Sequence, residues 1–283
     1  MKRFILNEAP DKNGMVRLGG DDYHYLVRVR RFAVREYFPA LLPSGEEVLI
    51  RVRSVEGGTL IGSVKPEDTA RGLSGTEDED SGRFADNVPI ILFQALPKGE
   101  KMDTIVRQAA EGALVEIVPF ISEFSVPRIR EESDGRHNGG AGAKKFSRWE
   151  RIIKEARQQS GSPVATALRP PESIDGLFAY WEELKRKRPK ILGLLFHHLP
   201  LARTGLHSYL AGNPEMTVLA VGPEGGFSPA EASRFLAAGF KAVTIGTTIL
   251  RTDTAALYAA AAVRIVLLER NSWEIKINQT GNG

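Results

Sequence analysis

Beyond residue 85 the chain alternates continuous apolar runs with amphipathic segments, and this alternation constrains its fold more than any other feature. Val88–Leu96 (VPIILFQAL), Leu114–Phe120, Ile191–Phe196 (ILGLLF), Thr217–Val221 and Ala242–Ile245 read as buried strands. Between and after them, Gly99–Gly112, Arg148–Ser160, Ile174–Arg188, Pro229–Ala238 and Thr254–Glu269 read as helices. Strands that are apolar on both faces are covered on both faces, so the expectation is an α/β fold with a mostly parallel sheet between helices. Ligands of such sheets bind at the C-terminal ends of the strands.

The first 65 residues follow a different pattern. Val48–Val55 and Thr59–Val64 flank Gly57-Gly58, a hairpin signal, and Tyr25, Leu26, Val29 and Phe32 recur at helical spacing. This unit reads as mainly β, compatible with a small barrel. Residues 67–82 (EDTARGLSGTEDEDSG) are acidic and glycine-containing with few large apolar groups, a linker composition. The expected organisation is therefore a domain over 1–68, a linker over 69–83 and a second domain over 84–283. A second stretch, 130–145 (REESDGRHNGGAGAKK), reads as a loop inside the second domain.

Several function classes fall away on composition. The 283 residues include no cysteine, which excludes disulfides, thiol catalysis and cysteine-ligated metal centres and fits a reducing compartment. The start, MKRFILNEAP, has an apolar run of only Phe4–Leu6 and does not read as a signal peptide. Ala255–Leu268, the nearest approach to a membrane span, is too short and is cut by Arg264. The expectation is a cytoplasmic protein with no membrane partner. The net charge of +3 is modest, but acidic residues gather in the linker while Arg28, Arg30, Arg31 and Arg35, the series Lys144 to Arg157, and Lys185–Arg188 form basic clusters. The first cluster has Tyr23, Tyr25, Tyr37 and Phe38 nearby, a combination suited to phosphate neutralisation and base stacking.

The chemistry concentrates in two segments. In Leu219–Phe227 (LAVGPEGGF) a strand ends in a glycine turn, and Ser228-Pro229-Ala230-Glu231 supplies an N-cap, a proline at N1 and the N3 glutamate of a capping box. Gly222, Gly225 and Gly226 let bare backbone approach a ligand. The spacing is not that of a dinucleotide or phosphate loop, no lysine lies in the turn, and Glu224 would repel phosphate, so a neutral or cationic ligand suits it better. The second segment, Thr244–Ala255 (TIGTTILRTDTA), leaves the next strand at Ile245-Gly246 and enters an alanine-rich helix that Thr252 or Asp253 can cap.

GPEGGFSPAE followed at short interval by TIGTTILRTDTA resembles the ribosomal RNA small subunit methyltransferase E family, within the SPOUT class of knotted methyltransferases. The resemblance extends to Phe93–Gly99, Glu111, Ile117–Phe120, Arg148-Trp149, Glu155-Ala156, Gln159-Ser160 and the basic segment His24–Arg31, and so covers nearly the whole chain in order. It implies a PUA-like N-terminal β-barrel that binds RNA and a C-terminal domain with a deep trefoil knot, a rare exception to the rule on connections. It further implies a homodimer that uses S-adenosylmethionine to methylate N3 of one uridine in 16S rRNA, with no metal.

Carried onto this chain, the resemblance places the cofactor among Leu194, Leu195 and Phe196; Gly222, Pro223, Gly225 and Gly226; and Ile245, Gly246, Ile249, Leu250 and Thr252. Backbone groups of Ile245 and Leu250 would hold the adenine. Arg28, Arg30, Arg31, Arg148 and Arg157 are the expected RNA contacts. Uracil N3 must lose its proton to attack a sulfonium methyl, so a base or a stabiliser of the anion is needed. Arg251 is the expected stabiliser, and Glu224 and Glu111 are the candidate bases; ion pairing or capping accounts for each of these residues as well. His197-His198 invites a metal reading, but adjacent residues in extended chain point to opposite sides.

Two positions depart from the family pattern. Gln108–Ala113 (QAAEGA) stands where Lys-Ala-Thr-Glu-Leu-Gly is usual, and Ser162-Pro163 where an arginine is usual, leaving Arg107 or Arg157 to replace the missing charges. The alternative is thus a catalytically weak or inactive RNA-binding ribosome-assembly factor of the same fold. A third reading, a nucleotide-binding α/β enzyme, is disfavoured by the missing phosphate motifs.

Overall fold

The structure is a computed structural model that describes residues 4–43, 46–64, 88–125, 141–198 and 204–279, with the backbone alone at 141 and 270–279. The expected linker 69–83 and residues 130–140 of the glycine-rich stretch lie outside the described residues. Contacts divide the chain into two units, Met1–Gly82 with Lys154–Ala165, and Arg83–Ile153 with Thr166–Gly283.

The first unit holds a five-stranded sheet of β1 (Phe4–Ile5), β2 (Met15–Leu18), β3 (Tyr37–Leu41), β4 (Glu47–Glu56) and β5 (Thr59–Val64), in the order β1-β3-β4-β5-β2. The β4–β5 hairpin turns at Gly57 (φ 58°) and Gly58 (φ 75°), the left-handed pair that a two-residue turn requires. Along β4, Val48, Ile50 and Val52 alternate inward onto Phe4, Leu26, Phe38 and Leu60. The sheet is a half-barrel: β1 and β2 are its edges, and no ladder joins them among the described residues. The expected helix near residues 21–32 is instead α1 (Gly20–Tyr23) continuing into a π-helical turn, His24–Val29, in which Arg30 N–H donates to the Tyr25 carbonyl. The wider turn carries Val29 outward, where it is 58% exposed, while Tyr25 and Leu26 stay on the core.

The second unit is a six-stranded, all-parallel sheet in the order β11-β9-β10-β6-β7-β8. Its strands are β6 (Ile90–Ala95), β7 (Glu116–Phe120), β8 (Ala167–Leu168), β9 (Ile191–Phe196), β10 (Met216–Val221) and β11 (Lys241–Val243). Every residue of central β6 and β10 is buried, as their largely apolar sequences lead one to expect, and Gln94 and Thr217 are buried among them. Its helices are α2 (Lys101–Glu111), α3 (Ala141–Ser160), α4 (Ile174–Lys187), α5 (Leu206–Leu210), α6 (Pro229–Ala237) and α7 (Thr252–Gln279), with α3 crossing into the first unit.

Alternate residues of β6 face opposite layers. Ile91, Phe93 and Ala95 join Leu177 and Trp181 of α4 and Phe235 of α6 in one core. Leu92 points the other way, to Ile105 and Ala109 of α2 and Ala256 of α7. The sheet, its parallel order and its two helical layers are those expected. Strand β11 stops at Val243, two residues earlier than expected, which frees Thr244 and Ile245 for the loop that follows.

Candidate functional site

Parallel register brings three strand ends level: Val221 of β10 and Val243 of β11 both pair with Phe196 of β9. The loops leaving these ends surround a cleft of about 570 Å³, a size that suits a cofactor-sized ligand. It is lined by Phe196–His198, Val221–Phe227, Thr244–Leu250, Thr252 and Ala255. All the expected cofactor residues on the two later loops line it, as does Phe196. Leu194 and Leu195 do not: they sit within β9, fully buried beneath the cleft.

The glycine turn is fixed from both sides. Gly226 (φ 71°) donates its N–H to the Pro223 carbonyl at 2.9 Å, closing the turn. The capping box is present: Ser228 Oγ accepts from Glu231 N–H, and Glu231 Oε2 accepts from Ser228 N–H. Glu231 Oε1 also accepts from Glu123 N–H at 2.8 Å, so this buried carboxylate is fully occupied with holding the loop. On the other side, Thr252 does not use its hydroxyl to cap α7. Thr252 Oγ1 donates to the Gly222 carbonyl at 2.6 Å and accepts from Gln94 Nε2 at 3.1 Å. Thr252 thereby ties the second loop to the third, and Gln94, the lone polar side chain of β6, anchors Thr252 to the sheet through a buried contact.

Glu224 is anchored as well. It pairs with Lys101 at the start of α2 and accepts from Lys98 N–H. Burial alone would raise its pKa, but the Lys101 ammonium and the backbone N–H donors outweigh that and hold it below the usual carboxylate range. A carboxylate stabilised in its charged form is a poor proton acceptor.

Two other expected catalytic residues do not line the cleft. Glu111 ends α2, about 15 Å along the helix from Lys101 and away from the cleft. Arg251 is exposed and does not line the cleft; among the described residues its guanidinium has no partner, while its carbonyl accepts from Ala255 N–H. Of the expected RNA contacts, Arg28 and Arg31 are exposed, and Arg30 lies over the Phe32 ring at 5.6 Å. Arg148 is engaged with Asp103 and Glu100 at the start of α2. Arg157 is buried, and its Nε and Nη2 have no partner among the described residues.

The residues that sequence reasoning missed are Gln94, Lys98 and Lys101. Gln94 carried a signal, a single amide inside VPIILFQAL. Lys98 lies inside the resembling stretch Phe93–Gly99, but nothing local links it or Lys101 to Glu224, which is more than a hundred residues away. The two histidines also differ from expectation. Beyond the end of β9 the chain is no longer extended, and the His197 and His198 rings stack on the same side, centroids 4.7 Å apart. Among the described residues no group of three or more potential metal-ligating side chains comes together.

The lining offers backbone amides, threonine hydroxyls and small apolar surfaces; its ionisable side chains are His197, His198 and Glu224. With no lysine or arginine among its described lining residues, the cleft is unsuited to phosphate and suited to a flat heterocycle joined to a polar or cationic group. A methyl donor built from adenosine and methionine fits that donor set.

A family model for an RNA methyltransferase domain matches residues 85–264. The ribosomal RNA small subunit methyltransferase E of Aquifex aeolicus is 31% identical over 226 residues, covering 76% of this chain and 89% of the relative. That of Synechocystis is 29% identical over 267 residues, covering 93% and 78%. Among solved structures, the ribosomal RNA small subunit methyltransferase E of Neisseria gonorrhoeae bound to S-adenosyl methionine matches with a TM-score of 0.71 at 25% identity, covering 94% of this chain and 98% of that one.

Proposed function

The chain belongs to the ribosomal RNA small subunit methyltransferase E family, and from that premise we propose that it methylates N3 of one uridine in 16S rRNA. The observation that carries the reading is the cleft at the three level strand ends, built of glycine-rich backbone and, among the described residues, free of a phosphate clamp. S-adenosylmethionine is the cofactor, and it supplies an electrophilic methyl group on a sulfonium centre.

The protein's own residues then have definite tasks. The glycine turn and Ile245–Leu250 present backbone to the cofactor, and Phe196, Ile249 and Leu250 cover it. Gln94, Thr252, Glu224 and Lys101 hold the loops in one arrangement before anything binds, so little ordering entropy is left to be lost on binding. Arg251, with its guanidinium free among the described residues, stabilises the uracil anion or a flanking phosphate. On the first unit, Arg28, Arg30 and Arg31 with exposed Tyr37 form the RNA-docking surface, and the half-barrel is the PUA-like domain.

Strand order supports the trefoil knot. From edge strand β11 the chain returns to pack α7 on α2, β6 and β10. Support for the homodimer comes from α7, whose Leu257, Tyr258, Ile265 and Leu268 are 41–54% exposed, an apolar row that a second copy would cover.

The reading is tested by transfer of labelled methyl from S-adenosylmethionine to small subunits from a strain lacking this protein, followed by nucleoside analysis. 3-Methyluridine is the expected product. A different methylated nucleoside would overturn the N3 assignment and keep the methyltransferase. Binding of RNA and cofactor without transfer would favour the assembly-factor alternative, which the changes at Gln108 and Ser162 suggest.

A further inference from the structure

Methylation of N3 requires a proton acceptor, and resting on the uridine-N3 reading above, we infer that His198 is that acceptor. Among the described residues three ionisable side chains line the cleft, and two of them are committed elsewhere. Glu224 is held as an ion by Lys101 and the Lys98 amide. His197 is buried, its backbone N–H bonds the Val243 carbonyl, and its ring packs on its neighbour. His198 is exposed at the cleft, its ring lies against Gly226, and its ring nitrogens make no hydrogen bond among the described residues.

Other candidates fail on chemistry or position. Arg251 has no lone pair to offer at any working pH. Glu111 lies at the far end of α2. Threonines 244, 247, 248 and 252 are too weakly basic. Histidine as a residue type exchanges its proton near neutral pH, as a base for an imide requires. Among the described residues the charged group that lines the cleft with His198 is Glu224, paired with Lys101, and the imidazole of His197 stacks on His198 directly.

The step balances without a further reagent. Uracil N3 gives its proton to an imidazole nitrogen of His198 and forms the N–CH3 bond with the freed electron pair. The S–CH3 bond breaks with its electrons returning to sulfur, leaving S-adenosylhomocysteine, 3-methyluridine and an imidazolium that releases its proton to solvent.

The test compares wild type with His198→Asn and His198→Ala on small subunits from the deletion strain, measuring single-turnover rates from about pH 5.5 to 9.5 beside calorimetric affinity for S-adenosylmethionine. The expected result is a rate loss of roughly 100-fold or more at neutral pH in both variants. Their affinity for the cofactor stays within about twofold of wild type. The acid limb of the wild-type profile disappears, and the residual rate rises toward the ionisation of uracil itself. A variant rate within about threefold of wild type with the same profile would overturn the assignment. So would parallel losses of rate and cofactor affinity, which would make His198 a cofactor contact. If wild type itself forms no 3-methyluridine, the N3 reading fails, and this inference with it.

Discussion

At the scale of single residues, the cleft depends on side chains that hold loops rather than touch a ligand. Glu224 shows how its charge is used. In the folded protein its pKa is depressed, so its stabilising contribution is present above the unfolded carboxylate value and is lost as pH falls through the folded one. Affinity for S-adenosylmethionine is therefore expected to fall at acid pH in wild type, as protonation releases Lys101 and the Lys98 amide from Glu224. Glu224→Gln keeps the shape without the charge. It is expected to bind a few-fold more weakly at neutral pH and to lack that component of the acid limb, which calorimetry across pH would show. An unaltered pH dependence in the variant would mean that the ion pair does not position the loop.

At the scale of elements, the tie from β6 through Thr252 to the glycine turn joins segments far apart in sequence. Thr252→Val removes the donor to the Gly222 carbonyl and the acceptor for Gln94, leaving buried polar groups unpaired at a cost of about 1–3 kcal/mol. If the cost falls on the loop arrangement, cofactor affinity drops by about tenfold, and Thr252→Ser, which keeps the hydroxyl, restores it. Equal affinity in the valine and serine variants would contradict the tie. Such contacts mark the limit of sequence reading. The strands of the parallel sheet were legible because burial on both faces leaves continuous apolar runs, and the capping box because its residues are local. Two-residue β8 and five-residue α5 were not, being too short to show a period. The π turn at His24–Val29 defeated the helical spacing, which assumes 3.6 residues per turn. Two of the three loops that surround the cleft were legible from their glycines, whereas the Glu224–Lys101 pair and the stacking of His197 on His198 arise from tertiary geometry that no local pattern encodes.

At the scale of the molecule, a net charge of +3 conceals a segregated distribution, and α7 carries an exposed apolar row, the face on which the proposed homodimer rests. Ile265→Glu places a charge in that row, at a position 53% exposed and so tolerant of substitution in the single chain. Sedimentation velocity is expected to find a dimer for wild type and a monomer of unchanged melting cooperativity for the variant; a monomeric wild type would contradict the dimer. The central claim, that this cleft and the RNA-docking surface serve methylation of one uracil at N3, is tested most directly by primer extension on 16S rRNA. N3-methyluridine cannot form a Watson–Crick pair, so reverse transcriptase stops one nucleotide short of it. In a deletion strain the account predicts no such stop, and its return at a single uridine when the wild-type protein is supplied. No returning stop, in the presence of protein that binds both S-adenosylmethionine and the small subunit, would contradict it.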